Sequence, residues 1–172
     1  MKYILDFDRV IFDFDSYNKD VEKHKLKEYF VDPRIWDTLS VTDYFFKDAI
    51  DFIKSKPKEK LVIITAMSPW MGPRAGEYQK RKIAESKIEK LVSEVVIMEG
   101  NKSGYVCERV DGVTVFVDDK LEHLLSVRNK CSEVVCIQLV RPGGTLESLV
   151  SDRKDIPVVA DFRGVNAIIE RQ

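Results

Sequence analysis

An open α/β sandwich, with a mostly parallel sheet covered by helices on both faces, is the fold the sequence predicts. Three observations point to it. Short apolar runs rich in β-branched residues recur along the chain, amphipathic stretches of helical length lie between them, and acidic residues close two of the runs. Apolar runs without polar alternation suit strands buried on both faces, as in parallel sheets flanked by helices. Strand and helix in alternation complete the pattern.

The runs are Tyr3-Ile4-Leu5, Leu61-Val62-Ile63-Ile64, Val95-Val96-Ile97-Met98, Val113-Thr114-Val115-Phe116-Val117, Val134-Val135-Cys136-Ile137 and Pro157-Val158-Val159. Each is too short for a helix. After the first, Val21 to Phe30 can form a short helix that Pro33 ends. Phe45, Ala49, Phe52 and Ile53 share one helix face, and Ser40 with Asp43 resembles a capping box ahead of it. Pro73 suits the first turn of a helix whose inner stripe is Ile83, Ala84, Ile88 and Leu91. Leu121, Leu124, Leu125 and Arg128 mark the next helix, and Val165, Ile168 and Ile169 the last. Arg141-Pro142-Gly143-Gly144 is a turn cluster without assignable chemistry.

Residues 14–41 break the alternation. They are mostly polar and are read as a small cap-like insertion in one domain spanning 1–172, because so short a stretch cannot build its own core.

The chain has 172 residues, 44% hydrophobic and 33% charged, enough to bury a core and keep a wet surface. Lys and Arg number 28 against 29 Asp and Glu, a net charge of −1 that offers no field for generic nucleic-acid binding. Cys107, Cys131 and Cys136 lack metal-ligand spacing and are an odd number, so a disulfide framework is not expected and a reducing cytoplasm is. Asp6 and Asp8 interrupt the first apolar run, which therefore reads as neither a signal peptide nor a membrane anchor.

The chemistry lies where carboxylates meet strand ends. Asp6 and Asp8 follow the first run; Asp118 and Asp119 follow the fourth. In a parallel sheet all carboxyl ends share one edge, where ligands bind in open α/β folds. Two acidic pairs there repel unless a cation lies between them, and hard oxygen ligands suit Mg²⁺. Thr65 follows the second run and offers a hydroxyl donor; Lys102 follows the third and offers an ammonium. Together these groups suit a phosphoryl group, with its charge shared between cation, lysine and hydroxyl. Asp6 and Asp118 carboxylates well over a nanometre apart would end this reading.

Plainer readings stand beside it. Asp119 alone can cap the helix near Leu121. His24 and His123 suit solvent-facing or capping positions, and Lys80-Arg81-Lys82 a wet helix face. Trp70, Met67 and Met71 suit local core or a substrate wall.

These residues resemble the motifs of the haloacid dehalogenase-like (HAD-like) hydrolases. Asp6-Phe7-Asp8-Arg9-Val10 matches the first motif, Thr65 the second, Lys102 the third and Asp118-Asp119 the fourth. The resemblance covers Tyr3 to about Ile137 and implies a Rossmann-like three-layer sandwich in which the strands of motifs one, two and four are neighbours. It implies Asp6 as nucleophile, forming an aspartyl-phosphate, and Asp8 as acid and then base. It further implies Mg²⁺ held by Asp6, the Asp8 backbone carbonyl, Asp118 and Asp119, with Thr65 and Lys102 on the phosphoryl oxygens. Arg9 stands where many members have glycine. Asp13-Phe14-Asp15 offers a competing register for the first motif, but Val10 occupies the expected fifth place and favours Asp6 and Asp8.

The expected function is a Mg²⁺-dependent phosphate-monoester hydrolase. The alternatives are a HAD-like phosphate- and metal-binding regulatory module with little turnover and, last, a receiver-like phosphorylation switch, whose motif order differs. A small cap suits a bulky phosphorylated substrate such as a phosphoprotein, a polynucleotide end or a lipid-linked sugar. A homodimer partner covering a small-molecule site is the alternative.

Overall fold

A computed structural model describes residues 1–24, 34–67, 73–144 and 151–171. Its centre is a six-stranded sheet: β1 (Lys2–Leu5), β2 (Leu61–Met67), β3 (Glu94–Glu99), β4 (Thr114–Asp118), β5 (Val135–Leu139) and β6 (Val158–Val159). The spatial order is β3-β2-β1-β4-β5-β6, and every pair is parallel. Each predicted apolar run is a strand, and β1 lies between β2 and β4 as the resemblance implies. The order reverses direction at β1, the topological switch point where open α/β sheets bind ligands.

Among the described residues seven α-helices accompany the strands: α1 (Phe14–Lys23), α2 (Ile35–Thr38), α3 (Lys47–Ser55), α4 (Pro73–Ser86), α5 (Ser103–Glu108), α6 (Leu121–Lys130) and α7 (Phe162–Ile169). Successive strand side chains point to opposite faces, and both faces are covered. Ile4, Val62, Ile64 and Phe116 pack with Val106 of α5 and Leu124 and Val127 of α6. Leu5, Ile63, Val115 and Val117 pack in the larger cluster with Phe52 and Ile53 of α3, Ile83 of α4 and Phe162 and Val165 of α7. That two-sided covering is why the runs lacked polar alternation. At Gly164 of α7 a Cβ would lie 2.7 Å from the Val159 Cβ, so only glycine allows helix and strand this close.

Two helices differ from expectation. The Ser40–Asp43 box does not cap α3. Val41–Tyr44 forms a separate 3₁₀ turn, and the Ser40 hydroxyl bonds Thr42 instead. In α4, Ile83 is buried as predicted but Ala84 is exposed, and Ile88 sits in a 3₁₀ turn beyond the helix. The buried face runs through Ala75, Tyr78, Gln79, Lys82, Ile83 and Ser86, half of it polar.

Within 14–41, Tyr17, Val21, Ile35, Leu39 and Val41 join the main core. Residues 25–33, with most of the predicted Val21–Phe30 helix and Pro33, lie outside the described residues. So do Trp70 and Met71. Among the described residues no helix is long and apolar enough to cross a membrane.

The expectation of unpaired cysteines is corrected. Cys107 on α5 and Cys131 after α6 form a disulfide across a Cα–Cα distance of 5.7 Å, and Cys136 is free and buried. Pairing follows from the packing of α5 on α6, which cysteine spacing does not encode. Closing a loop over a separation of 24 residues stabilises the fold by about 3 kcal/mol in the chain-entropy view. Urea denaturation with and without reductant, and of Cys107→Ser, is expected to read a loss of that size. Unchanged midpoints would remove the bond.

Candidate active site

The site is built at the carboxyl end of β1. The Asp6 N–H still donates to the Val117 carbonyl at 2.9 Å, so Asp6 remains docked on β4. The chain then coils tightly. The N–H groups of Ile11 and Phe12 both reach the Phe7 carbonyl at 2.9 Å, and Arg9 N–H reaches the Phe12 carbonyl at 2.7 Å. This turn places Arg9 in the left-handed region, φ 62°, a conformation that favours glycine. The side chain is compensated. Its Nε donates to Asp15 at 3.0 Å and its guanidinium stacks 4.9 Å from the Phe14 ring centre.

The coil ends at Asp13, whose carboxylate accepts the Ser16 N–H at 3.0 Å and caps α1. Asp13 and Asp15 therefore act in a cap and an ion pair.

Asp6, Asp118 and Asp119 offer carboxylate oxygens that all lie within 4.8 Å of one another, and all three are buried. Lys102, at the start of α5 and 1% exposed, bridges two of them, 2.6 Å from Asp6 and 2.8 Å from Asp118. His123 Nδ1 stands 3.2 Å from the same Asp118 oxygen. An ionised carboxylate only accepts, so that nitrogen carries the proton. Asp118 also accepts the Lys120 N–H at 2.8 Å.

Asp119 is the exception. Both its oxygens are buried and accept no hydrogen bond from the described residues, and Arg9 Nη1 stands 4.0 Å from one of them. Nor does Asp119 cap α6, whose first residue is preceded by Lys120 without a side-chain cap.

The electrostatics follow from these positions. Burial pushes the Asp6 carboxyl above its ordinary range, with Lys102 opposing and Asp118 adding to the rise. Burial, then the charges of Asp6 and Asp118, push Asp119 well above it. Burial also works against ionised Asp118, but Lys102 and the His123 hydrogen bond outweigh it and hold that carboxyl below the usual range. Burial disfavours the Lys102 ammonium, yet Asp118 and Asp6 hold its pKa above the usual lysine range. When all three are ionised, the carboxylates exceed the Lys102 ammonium by two negative charges, the charge of one divalent cation. An all-oxygen donor set, with the Asp119 carboxylate orphaned, suits a hard ion such as Mg²⁺.

The second carboxylate of the first motif turns the other way. Asp8 is not part of the triad; its Oδ1 receives Lys82 Nζ at 2.6 Å and its Oδ2 the Gln79 amide at 3.1 Å. The same Gln79 nitrogen lies 2.8 Å from the Thr65 hydroxyl, which is buried two residues before the end of β2. The Asp8 side chain is therefore held by α4 and not by the triad. The structure thus gathers Asp6, Asp118, Asp119 and Lys102 in one cluster, and Asp8 and Thr65 in an adjoining one.

Two expectations are corrected here. His123 is 6% exposed and bonded to Asp118, neither solvent-facing nor a cap. Lys82 is fully buried, although Lys80 and Arg81 are exposed as a wet face should be. Gln79, Lys82 and His123 were not among the site residues read from sequence. The signal for the first two was a helical stripe through Ala75, Tyr78, Gln79, Lys82 and Ser86. His123 had only its spacing from Asp118.

Beside Asp119 a cleft of about 250 Å³ opens between Arg9, Ser16, Lys19 and Phe46 on one side and Arg141 to Gly144 on the other. The turn cluster at Arg141 thus has a structural role. Its guanidinium bonds Asp48 at 2.8 Å and the Val10 carbonyl at 2.9 Å, tying the coil after β1 to α3.

No protein-family model matches the sequence, and no curated protein matches it. Solved structures do resemble the fold. A protein from Burkholderia xenovorans described as a haloacid dehalogenase-like hydrolase superposes with a TM-score of 0.71 at 15% identity, over 98% of this chain and 96% of that one. A HAD phosphatase from Thermococcus onnurineus gives 0.57 at 14% identity, over 98% of each chain. A dehalogenase gives 0.57 at 10% identity, over 97% of this chain and 96% of the other. The fold is that of the HAD-like hydrolases.

Proposed function

We propose that the protein is a Mg²⁺-dependent phosphate-monoester hydrolase working through an aspartyl-phosphate. The observation that carries this reading is the orphaned Asp119 carboxylate within 4.8 Å of Asp6 and Asp118, beside a lysine that already contacts both of the latter. The fold alone is shared with a dehalogenase. Asp8 favours phosphate, because a departing halide needs no proton whereas a departing alkoxide does.

Asp6, Asp118 and Asp119 would hold the ion with the Asp8 carbonyl. Mg²⁺, when bound, supplies positive charge that offsets repulsion between a phosphate dianion and the Asp6 carboxylate. Lys102 and Thr65 hold phosphoryl oxygens. Asp6 attacks phosphorus as the ester P–O bond breaks, and Asp8 gives a proton to the leaving oxygen. Water then attacks the aspartyl-phosphate, Asp8 takes its proton, and inorganic phosphate leaves with Asp6 restored. Splitting the hydrolysis in this way lets one carboxyl serve in both halves.

The partner in this reading is a phosphorylated small molecule or macromolecular end, with a homodimer as an alternative cover and no generic nucleic-acid or membrane surface. A cytoplasmic location belongs to the same reading, and the Cys107–Cys131 disulfide removes the cysteine argument for it. A regulatory module remains the second reading on one observation. Arg9 approaches Asp119 to 4.0 Å, where it can compete with a cation.

A screen of p-nitrophenyl phosphate, phosphorylated metabolites, nucleotides and oligonucleotide ends, with and without Mg²⁺, tests the proposal. Turnover that needs Mg²⁺ is expected; Mg²⁺ and phosphate binding by calorimetry without any turnover would favour the module. Thermal unfolding gives a second check. Asp119 has a raised folded pKa, so its neutral form favours the metal-free fold at low pH, and that stability is lost as pH rises from the unfolded carboxyl value through the folded one. Metal binding needs the ionised form and releases the proton. The Mg²⁺-induced rise in Tm should therefore grow with pH. A rise that shrinks with pH counts against Asp119 as ligand.

A further inference from the structure

The least expected group in the molecule is Lys82. It is fully buried in the middle of α4, and its ammonium is ringed by aromatic side chains. The ring centres of Phe12 and Phe14 lie 5.0 Å away, those of Tyr78 and Phe7 5.5 and 5.6 Å. Its ion-pair partner is Asp8, at 2.6 Å. Burying a lysine to make one such pair gains little stability over a well-packed hydrophobe of similar volume. The cost has to be offset elsewhere, and the geometry shows where.

Gln79 lies one helical turn before Lys82 on the same face of α4. Each takes a different oxygen of the Asp8 carboxylate, Lys82 Oδ1 and Gln79 Oδ2. The Gln79 nitrogen also meets Thr65 Oγ1 at 2.8 Å, so one amide ties the Asp8 carboxylate to the hydroxyl near the end of β2. With both oxygens engaged, the carboxylate cannot rotate about its last bond without breaking two contacts. Asp8 itself sits just beyond the end of β1 and is about a quarter exposed, so the backbone alone does not hold its side chain.

We propose that Lys82, with Gln79, is a positioning residue that clamps the Asp8 carboxyl in the orientation needed to protonate the leaving oxygen of a phosphate monoester. This rests on the hydrolase reading above and adds a requirement to it. The two α4 side chains act through Asp8 and touch neither phosphorus nor the leaving group. Asp8 enters this step protonated, its proton brought by a substrate that binds as the monoanion, and the proton moves from Asp8 to the ester oxygen as the P–O bond breaks and the Asp6–phosphorus bond forms. The ammonium of Lys82 faces the carboxylate left behind. A misoriented acid matters most where the leaving group is poor, since a good leaving group departs without a proton.

The test compares Lys82→Met with the natural protein on two substrates, p-nitrophenyl phosphate and glycerol phosphate, reading kcat/KM through formation of the aspartyl-phosphate. The expected loss is roughly 100-fold on the alkyl ester and only a few-fold on the aryl ester. Equal losses on both overturn the proposal. If Lys82→Met does not fold, Asp8→Asn and the double variant Asp8→Asn/Lys82→Met, in which no charge is left unpaired, decide instead. Equal rates support action through Asp8, and a further drop in the double variant overturns it. A crystal structure of Lys82→Met, or of Gln79→Leu where that does not fold, gives a readout independent of turnover. A displaced or disordered Asp8 carboxylate is expected, and an unmoved one overturns the clamp. If the natural protein hydrolyses no phosphate ester, the hydrolase reading fails by itself and the crystal structure alone judges the clamp.

Discussion

Asp6→Asn should lower phosphate-ester turnover by roughly 10⁴-fold or more while leaving the protein folded. The amide keeps the shape of the carboxylate but is a poor nucleophile toward phosphorus. Stability should change little, because the substitution removes one negative charge from a cluster that holds three within 4.8 Å. Lys102 loses its contact at 2.6 Å with Asp6 and keeps the one at 2.8 Å with Asp118. p-Nitrophenyl phosphate hydrolysis with a thermal melt on the same samples is the measurement. Retained activity above about one part in a hundred removes Asp6 from the nucleophile role.

Lys102→Met should be the most destabilising change in the site. It leaves Asp6 and Asp118, both buried, without their shared cation, and breaking a buried pair in this way costs about 3–5 kcal/mol. The loss should be largest with a chelator present and smaller with millimolar Mg²⁺, because a bound divalent ion replaces part of the missing charge and stabilises the folded state by mass action. Urea denaturation in both conditions reads the difference. A variant as stable as the natural protein in chelator, or one whose deficit Mg²⁺ leaves untouched, would contradict the electrostatic account of the cluster. Activity should be lost in either case, since Lys102 also holds the phosphoryl group in the proposed reaction.

Most of the sheet was legible in the sequence. Six apolar runs are the six strands, because a strand buried on both faces must be apolar throughout and only a few segments of this chain are. The two acidic pairs, Thr65 and Lys102 were legible too, since a parallel sheet sends every strand end to one edge. The other half of the site was hidden for a physical reason. Periodicity assigns polar residues to the wet side of a helix, yet Gln79 and Lys82 face inward because their partners lie on the coil after β1 and near the end of β2. Nothing local to α4 reports those partners. The same holds for His123, whose burial depends on Asp118 being an acceptor, and for Cys107 and Cys131, whose meeting depends on two helices packing.

The placement of β1 between β2 and β4 bears on how the protein comes into being. A growing chain makes Asp6 before the other strands, but Asp118 and Asp119 arrive only with the fourth strand, and the Asp6 N–H closes onto Val117 only after that strand docks. Until then the emerging polypeptide carries one of the three triad carboxylates and no cluster. Competence during biosynthesis is therefore gained late and abruptly, at a long-range closure whose entropy makes it slow.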